Sequence, residues 1–288
     1  MGIRKILGVF AAVLLLALGS ALAQDRASAS GDYLALGDSV PFGYISQAGF
    51  QYFNAENFVG YPDWAGIGLS LNDENAACPG ETTGSFLSTQ QPDNGCRLYR
   101  QHAPLHVNYG SAATQFAYAT NFLQQNGGNT GLVTIQLGSD DVLLLEEQCD
   151  NNPQCIAAGL PQVLQTAGTN MATILGGLRQ TGYAGAIVVV NYYSTDYTNQ
   201  NITQITSALN QAITAPASLF GAVVADVFSA FQTASQQAGG RTCVAGLLNA
   251  KHGNNALGCD IHPSQSGQKL IAQTIASSFQ SSAAKNRK

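Results

Sequence analysis

Two residues of this 288-residue chain are suited to act together, a serine that ends an apolar run and a histidine that precedes a proline. Ser39 closes Leu34-Ala35-Leu36-Gly37-Asp38-Ser39, and His262 lies in Cys259-Asp260-Ile261-His262-Pro263. A hydroxyl becomes a nucleophile beside a base, and imidazole is the side chain that changes charge near neutral pH. Paired, they would perform acyl transfer, with the serine attacking a carbonyl and the histidine carrying its proton. Singly, each has a plainer reading, because Gly-Asp-Ser also suits a strand-ending turn or a helix cap and a histidine before proline suits a loop. Other chemistries lack an anchor. The chain has no G-x-x-x-x-G-K-[ST] loop, no G-x-G-x-x-G behind a strand and no G-x-S-x-G elbow, so nothing calls for a cofactor. It has no C-x-x-C pair to hold a metal, and Pro104 interrupts the helix that would place His102 and His106 one turn apart.

For Ser39 and His262 to meet, the chain must bring its beginning to its end. Tyr33 to Leu36, Leu132 to Leu137, Ala186 to Val190 and Ala222 to Ala225 are short aliphatic runs, each followed by Gly, Asp or Asn. Near-continuous apolar runs suit strands buried on both faces of a parallel sheet. Between them, Ala112 to Gln125, Ile156 to Arg179 and Asn201 to Ile213 have helical period, as does Ser264 to about Ser281. This alternation predicts an α/β fold. Its polar loops, at residues 37–39 and 138–141, gather at the carboxyl edge of the sheet, where open α/β sheets bind ligands.

With that frame in place, four ordered blocks resemble those of the GDSL-type lipases and esterases, the SGNH hydrolases. Leu36-Gly37-Asp38-Ser39 is similar to the first block, Ala77-Cys78-Pro79-Gly80-Glu81-Thr82-Thr83 to the second, Leu137-Gly138-Ser139-Asp140-Asp141 to the third, and Asp260-Ile261-His262-Pro263 with Gly267 to the last. The second block and Tyr61-Pro62-Asp63-Trp64 look most like the secreted bacterial members. The resemblance implies a flavodoxin-like three-layer α/β/α sandwich with about five parallel strands, spanning residues 24–284. It further implies Ser39 as nucleophile and His262 as base, with an oxyanion hole built on the backbone N–H groups of Ser39 and Gly80.

Two positions depart from the family pattern. Asp140 stands where the family's asparagine supplies a third oxyanion donor, and an ionised carboxylate only accepts. Either Asp140 is protonated beside Asp141 and donates, or it turns away and two donors suffice. In the last block Cys259 holds the place of the usual acid, three before the histidine, and Asp260 sits two before. Asp260 is therefore a candidate acid, expected to matter far less than His262, with a Ser-His dyad oriented by a backbone carbonyl as the alternative.

Composition and compartment bound the rest. Twelve Lys and Arg against seventeen Asp and Glu give a formal charge of −5, which excludes an electrostatic grip on nucleic acid. Arg4 and Lys5, the apolar run from Ile6 to Leu18 and Ala21-Leu22-Ala23 have the pattern of a secretory signal peptide over residues 1–23, too short an apolar run for a membrane anchor. Export makes six cysteines a disulfide framework. Six allow 15 complete pairings. Of these, the sequence-local set Cys78–Cys96, Cys149–Cys155 and Cys243–Cys259 is the most economical. A disordered tail is expected over residues 285–288. The sequence thus predicts a secreted, cofactor-free, monomeric serine ester hydrolase acting on small-molecule or lipid esters. A carbohydrate O-acetylesterase and a non-catalytic binding protein on the same fold are its rivals. Phe42, Tyr44, Phe50, Tyr52, Phe53, Phe58, Tyr61 and Trp64 either line an acyl pocket or pack this long connection onto the sheet, and Val142 to Leu145 offers a second apolar stretch.

Overall fold

The computed structural model describes residues 31–46, 49–253 and 258–285, so the expected signal peptide lies outside the described residues. Five parallel strands form the central sheet: β1 (Asp32–Gly37), β2 (Asn72–Asn75), β3 (Thr130–Gln136), β4 (Ala186–Val190) and β5 (Val223–Ala225), in the order β2-β1-β3-β4-β5. Four of them, β1, β3, β4 and β5, are the apolar runs read from sequence. Leu36, Ile135 and Val189 are fully buried, and each such side chain contributes about 1.5–3 kcal/mol by leaving water. The strand not anticipated is β2, Asn-Asp-Glu-Asn, which lies at the sheet edge, where a polar sequence survives because only β1 pairs with it.

Among the described residues ten α-helices connect and cover the sheet. Short α1 (Ser39–Phe42) follows β1, α2 (Tyr61–Leu69) leads to β2, and α3 (Thr83–Leu87), α4 (Cys96–His102) and α5 (Gln115–Asn126) fill the passage to β3. After β3 come α6 (Ser139–Gln148), the long α7 (Pro153–Gln180), α8 (Gln200–Thr214), α9 (Val227–Ser235) and α10 (Gln265–Lys285). Side-chain caps start several of them: Thr114 accepts from Ala117 N before α5, Asn152 from Gln154 N before α7 and Asn199 from Asn201 N before α8. The cap at Thr114 starts α5 at Gln115, later than the apolar period from Ala112 suggests. One layer holds α2, α9 and α10, and the other α5, α7 and α8 with α3 and α6. At the other end of the chain, α10 continues to Lys285, so the expected tail begins in helix, and residues 286–288 lie outside the described residues.

The strand order puts the switch of chain direction between β1 and β3, the crevice where doubly wound sheets hold their ligands. Gly37 ends β1 at φ +142°, and a Cβ there would meet the Gln136 carbonyl oxygen at 2.0 Å, so only glycine lets β1 close on β3 at this point. Buried Gln115 clamps the same residue, accepting from Gly37 N at 2.7 Å and donating to its carbonyl at 2.9 Å. An antiparallel ribbon of β6 (Leu248–Ala250) and β7 (Cys259–Pro263) stands beside the sheet and carries the histidine segment to it.

Three disulfides are formed, Cys78–Cys96, Cys149–Cys155 and Cys243–Cys259. They match the sequence-local pairing.

Candidate active site

Ser39 is the first residue of α1, and Asp38 before it caps that helix by accepting from Val40 N at 2.9 Å. Asp38 is fully buried and also accepts from Ser139 Oγ at 2.8 Å and from the Tyr192 hydroxyl. Burial raises its carboxyl above the usual range, and these donors together with the charge of His262 oppose the rise. The sequence shows Asp38 only as part of a motif. In the fold it fastens the ends of β1, β3 and β4 around the serine.

His262 lies on β7, 223 residues away in sequence, and its Nε2 is 2.9 Å from Ser39 Oγ. Its Nδ1 is 2.8 Å from Asp260 Oδ1. Residues two apart on a strand share a face, and β7 is extended over both, so the aspartate two places before the histidine reaches the ring directly. Cys259, in the usual place of the acid, is instead joined to Cys243. The geometry thus sets Asp260, the candidate acid, against His262 and His262 against Ser39 in one line, the arrangement of a Ser-His-Asp triad and not of a dyad oriented by a backbone carbonyl. Burial would raise the Asp260 carboxyl, but the hydrogen bond and charge of His262 and the contacts of Ser46, whose N–H donates to Oδ2 at 3.3 Å, outweigh it and bring the pKa down to about 2. Tyr44 packs against the imidazole with ring centroids 5.0 Å apart, and Tyr193 donates to the Ile261 carbonyl at 2.7 Å, holding the strand between acid and base.

Gly80 reaches the serine because Cys78 N donates to the Gly37 carbonyl at 3.0 Å, which lays the segment after β2 along the end of β1. Its φ is +83°, and a Cβ would meet the Asn94 carbonyl oxygen at 2.3 Å, so glycine is required by both conformation and space. Neither the Ser39 nor the Gly80 amide finds an acceptor among the described residues, which leaves both N–H groups able to donate to a bound oxygen. Asp140, at the start of α6, is buried in the same cleft and accepts from Asn94 Nδ2 at 2.8 Å. It does not turn away. Asn94 belongs to no motif and could be found only once the fold had set it against Gly80 and Asp140.

Two clefts meet at Ser39 and His262, sharing both with Leu143 and Ile261. The larger, about 550 Å³, is walled by Tyr44, Tyr52, Phe53, Leu98 and Tyr99, and the smaller, about 290 Å³, by Val142, Tyr193, Ile202, Ile205 and Leu209. The aromatic segment after Ser39 thus divides. Phe42, Phe58 and Tyr61 are fully buried and pack, whereas Tyr44, Tyr52 and Phe53 face the cleft; the side chain of Phe50 lies outside the described residues.

Among the described residues no group of metal-ligating side chains forms around Ser39 and His262. The described residues bring Cys78, Glu81 and Cys96 within ligand distance of one another, but the two sulfurs are bonded together and offer no thiolate. His106 Nε2 meets the Phe42 carbonyl at 3.0 Å, while α4 ends at His102, before Pro104, so the two histidines share no helix.

The GDSL-like lipase/acylhydrolase family matches residues 35–270, which takes in all four blocks. Among solved structures, phospholipase A1 from Streptomyces albidoflavus is 18% identical with a TM-score of 0.56 and covers 87% of this chain and 100% of its own. A lipase from a goat rumen metagenome is 14% identical with a TM-score of 0.53, covering 86% and 97%. At such identities the likeness is one of fold. No curated protein matches the sequence.

Proposed function

Because the chain belongs to the GDSL-like lipase/acylhydrolase family, we propose that it hydrolyses carboxylic esters through an acyl-enzyme on Ser39. The observation that carries this reading is the unbroken line from Asp260 through His262 to Ser39 Oγ, with links of 2.8 and 2.9 Å, at the junction of two clefts. Ser39 Oγ attacks the ester carbonyl carbon while His262 Nε2 takes its proton. The oxyanion forms against the Ser39 and Gly80 amides. His262 then gives the proton to the departing alkoxide, releasing the alcohol and leaving the acyl group on Ser39. A water enters, loses its proton to Nε2 and attacks the acyl carbon, and the return of that proton to Ser39 Oγ frees the carboxylic acid. Asp260 stays ionised throughout and stabilises the imidazolium that forms twice per turnover. The route uses protein groups and water alone.

The two clefts favour an ester with two apolar arms, a lipid or an acyl ester of a short alcohol, over an acetylated sugar, whose small acyl group and hydroxyls have little use for walls of Tyr, Phe, Leu and Ile. The three disulfides and the pattern of residues 1–23 support action outside the cytosol after export. Reaction with a fluorophosphonate tests the core of this reading. Mass mapping should place the adduct on Ser39, and Ser39→Ala and His262→Ala should each lose more than about 10³-fold in turnover of nitrophenyl esters while remaining folded. Retention of a tenth of the activity in either variant refutes it. Butyrate and longer esters should surpass acetate and acetylated xylan; the reverse order would favour the O-acetylesterase, and no turnover with no adduct would favour the binding protein. Protein sequencing of the exported product should begin at Gln24.

A further inference from the structure

Asp140 occupies the third-donor position with a side chain that, ionised, has no proton to give. Its surroundings are specific. The residue is 3% exposed, and its Oδ1 accepts from Asn94 Nδ2 at 2.8 Å, whereas Oδ2 is buried with no hydrogen-bond partner among the described residues. A bare carboxylate oxygen removed from water is costly, and protonation removes most of that cost.

The groups that face Asp140 point the same way. Asp38 approaches from the end of β1, Glu81 from the segment after β2 and Asp141 from α6 itself, and all three are buried or nearly so. The Tyr192 phenol lies beside it from the end of β4, and His262 lines the same cleft from β7. Asp38 is already supplied with three donors, and Asp141 with two, the Thr83 N–H at 2.8 Å and hydroxyl at 2.6 Å. Asp140 has only Asn94. When like charges crowd a buried site, the proton goes to the acid whose anion is least well solvated by the protein. Burial holds the Asp140 carboxyl well above the usual range, the charges of Asp38, Asp141 and Glu81 add to this, and the Asn94 amide alone opposes it strongly. The amino end of α6 favours an anion, by about 0.3–1 kcal/mol, a small effect beside desolvation of a carboxylate.

We propose that Asp140 works as a neutral carboxylic acid, with Oδ2–H as the third donor of the oxyanion hole and Oδ1 fixed as the acceptor by Asn94. Asn94 is then a positioning residue for two donors at once, since its backbone N–H also donates to the Gly80 carbonyl at 2.8 Å. The proton remains on Asp140 through the cycle and only its hydrogen bond strengthens as the oxyanion forms. This assignment rests on the ester-hydrolase reading.

Three proteins, wild type, Asp140→Asn and Asp140→Leu, test it by turnover of nitrophenyl butyrate and by the rate of Ser39 phosphonylation, from about pH 6 to about pH 10, a range in which a raised carboxyl ionises. Asp140→Asn should keep activity within about threefold of wild type at the acid end and hold it at the alkaline end, where the wild type declines. Asp140→Leu, which removes the donor, should lose about 10²- to 10³-fold at every pH. Asn94→Ala should move the wild-type alkaline decline to higher pH by withdrawing the one strong donor that favours the anion, a change that loss of packing alone does not produce. The infrared difference spectrum at neutral pH, wild type minus folded Asp140→Asn, should contain the C=O stretch of a protonated carboxylic acid, and this readout holds even if Asp140→Leu or Asn94→Ala folds poorly. The proposal falls if that band is absent, if folded Asp140→Asn is inactive or declines with alkali as the wild type does, or if Asp140→Leu stays within tenfold. A wild type that neither turns over nor is phosphonylated overturns the hydrolase reading and this one with it; a reactive wild type with an ionised Asp140 overturns this one alone.

Discussion

Replacing Asp260 by asparagine separates a working triad from a Ser-His pair that happens to have an acid nearby. The carboxylate accepts the Nδ1–H of His262 at 2.8 Å on Oδ1, where the His262 backbone N–H also approaches at 3.4 Å, and accepts from Ser46 N–H at 3.3 Å on Oδ2. An asparagine has one acceptor and one donor end, so it must choose. With its oxygen toward the ring it keeps the right tautomer but sets its NH₂ against Ser46 N–H. With the NH₂ toward the ring it drives the proton to Nε2, and a histidine so protonated takes nothing from Ser39, a state about 10⁴-fold less active. Each orientation forfeits one long backbone contact, so both are populated and the first sets the residual rate. In that fraction the imidazolium has lost its counter-charge, worth about 4 kcal/mol for opposite unit charges 4 Å apart at an effective dielectric of 20. Part of this is regained by the neutral amide hydrogen bond, about 0.5–1.5 kcal/mol. The balance predicts a fall of about 10²- to 10³-fold in kcat, with KM little changed because the charge develops only on the way to the transition state. Stopped-flow acylation with nitrophenyl butyrate and phosphonylation of Ser39 should show the same loss, with unaltered near-ultraviolet circular dichroism. A loss under tenfold in a folded protein would refute this reasoning and return the orientation of His262 to the backbone.

Three further outcomes follow from the same geometry. Gly80→Ala should reduce activity more than about 10²-fold and lower stability, because the new Cβ meets the Asn94 carbonyl at 2.3 Å in a left-handed conformation and displaces the amide, and a folded, fully active variant would refute the need for glycine at this position. Acidification from about pH 8 to about pH 5 should raise Tm. Burial lifts Glu81 to about 7 and, with neighbouring charges, Asp63 and Asp141 to about 6, so the folded state binds protons the unfolded chain has lost; that stability is full below the unfolded values and gone above the folded ones. Glu81 alone, rising from 4.5 to about 7, sets a scale of ~3 kcal/mol. Scanning calorimetry of wild type and Glu81→Gln checks this, and a Tm that climbs with pH over the interval contradicts it. Serine replacement of Cys243 and Cys259, whose bridge spans 16 residues beside Asp260, should cost about 3 kcal/mol and depress turnover, whereas the Cys149–Cys155 bridge of 6 should cost about 2 kcal/mol and leave kcat unchanged.

What the sequence discloses here depends on whether a residue's role is local. Strands β1, β3 and β4 are legible because both faces are covered, and the run of Leu, Ile and Val records that directly. Strand β2 is invisible for the opposite reason, since an edge position tolerates Asn-Asp-Glu-Asn and only the β1 pairing makes it a strand. Val142 to Leu145 reads as a mere apolar stretch, but the acidic first turn at Asp140 and Asp141 and the path of β3 make it the core of α6. Among the site residues, Ser39, His262 and Gly80 are legible as motifs. Asp260 is visible but ambiguous, because its reach depends on how β7 extends. Asn94 and Tyr192 carry no signal at all, being ordinary polar residues that matter only through partners 46 and 154 positions away.

The separation of 223 residues between nucleophile and base has a consequence for how the protein is made. At a synthesis rate of about 5–20 residues per second, the serine leaves the ribosome roughly 10–45 s before the histidine. Through that interval the growing polypeptide carries a hydroxyl with no partner to activate it. Completion of β7 is not the end of the process, since buried Gln268 of α10 donates to the Val40 carbonyl at 3.0 Å and accepts from Tyr61 N at 2.9 Å, joining the last helix to the segment that bears the serine. On the proposed reading, topology alone keeps the nascent chain from assembling Ser39 with His262 before its last fifth has been made. Ribosome-stalled chains ending before β7 should be inert toward fluorophosphonates.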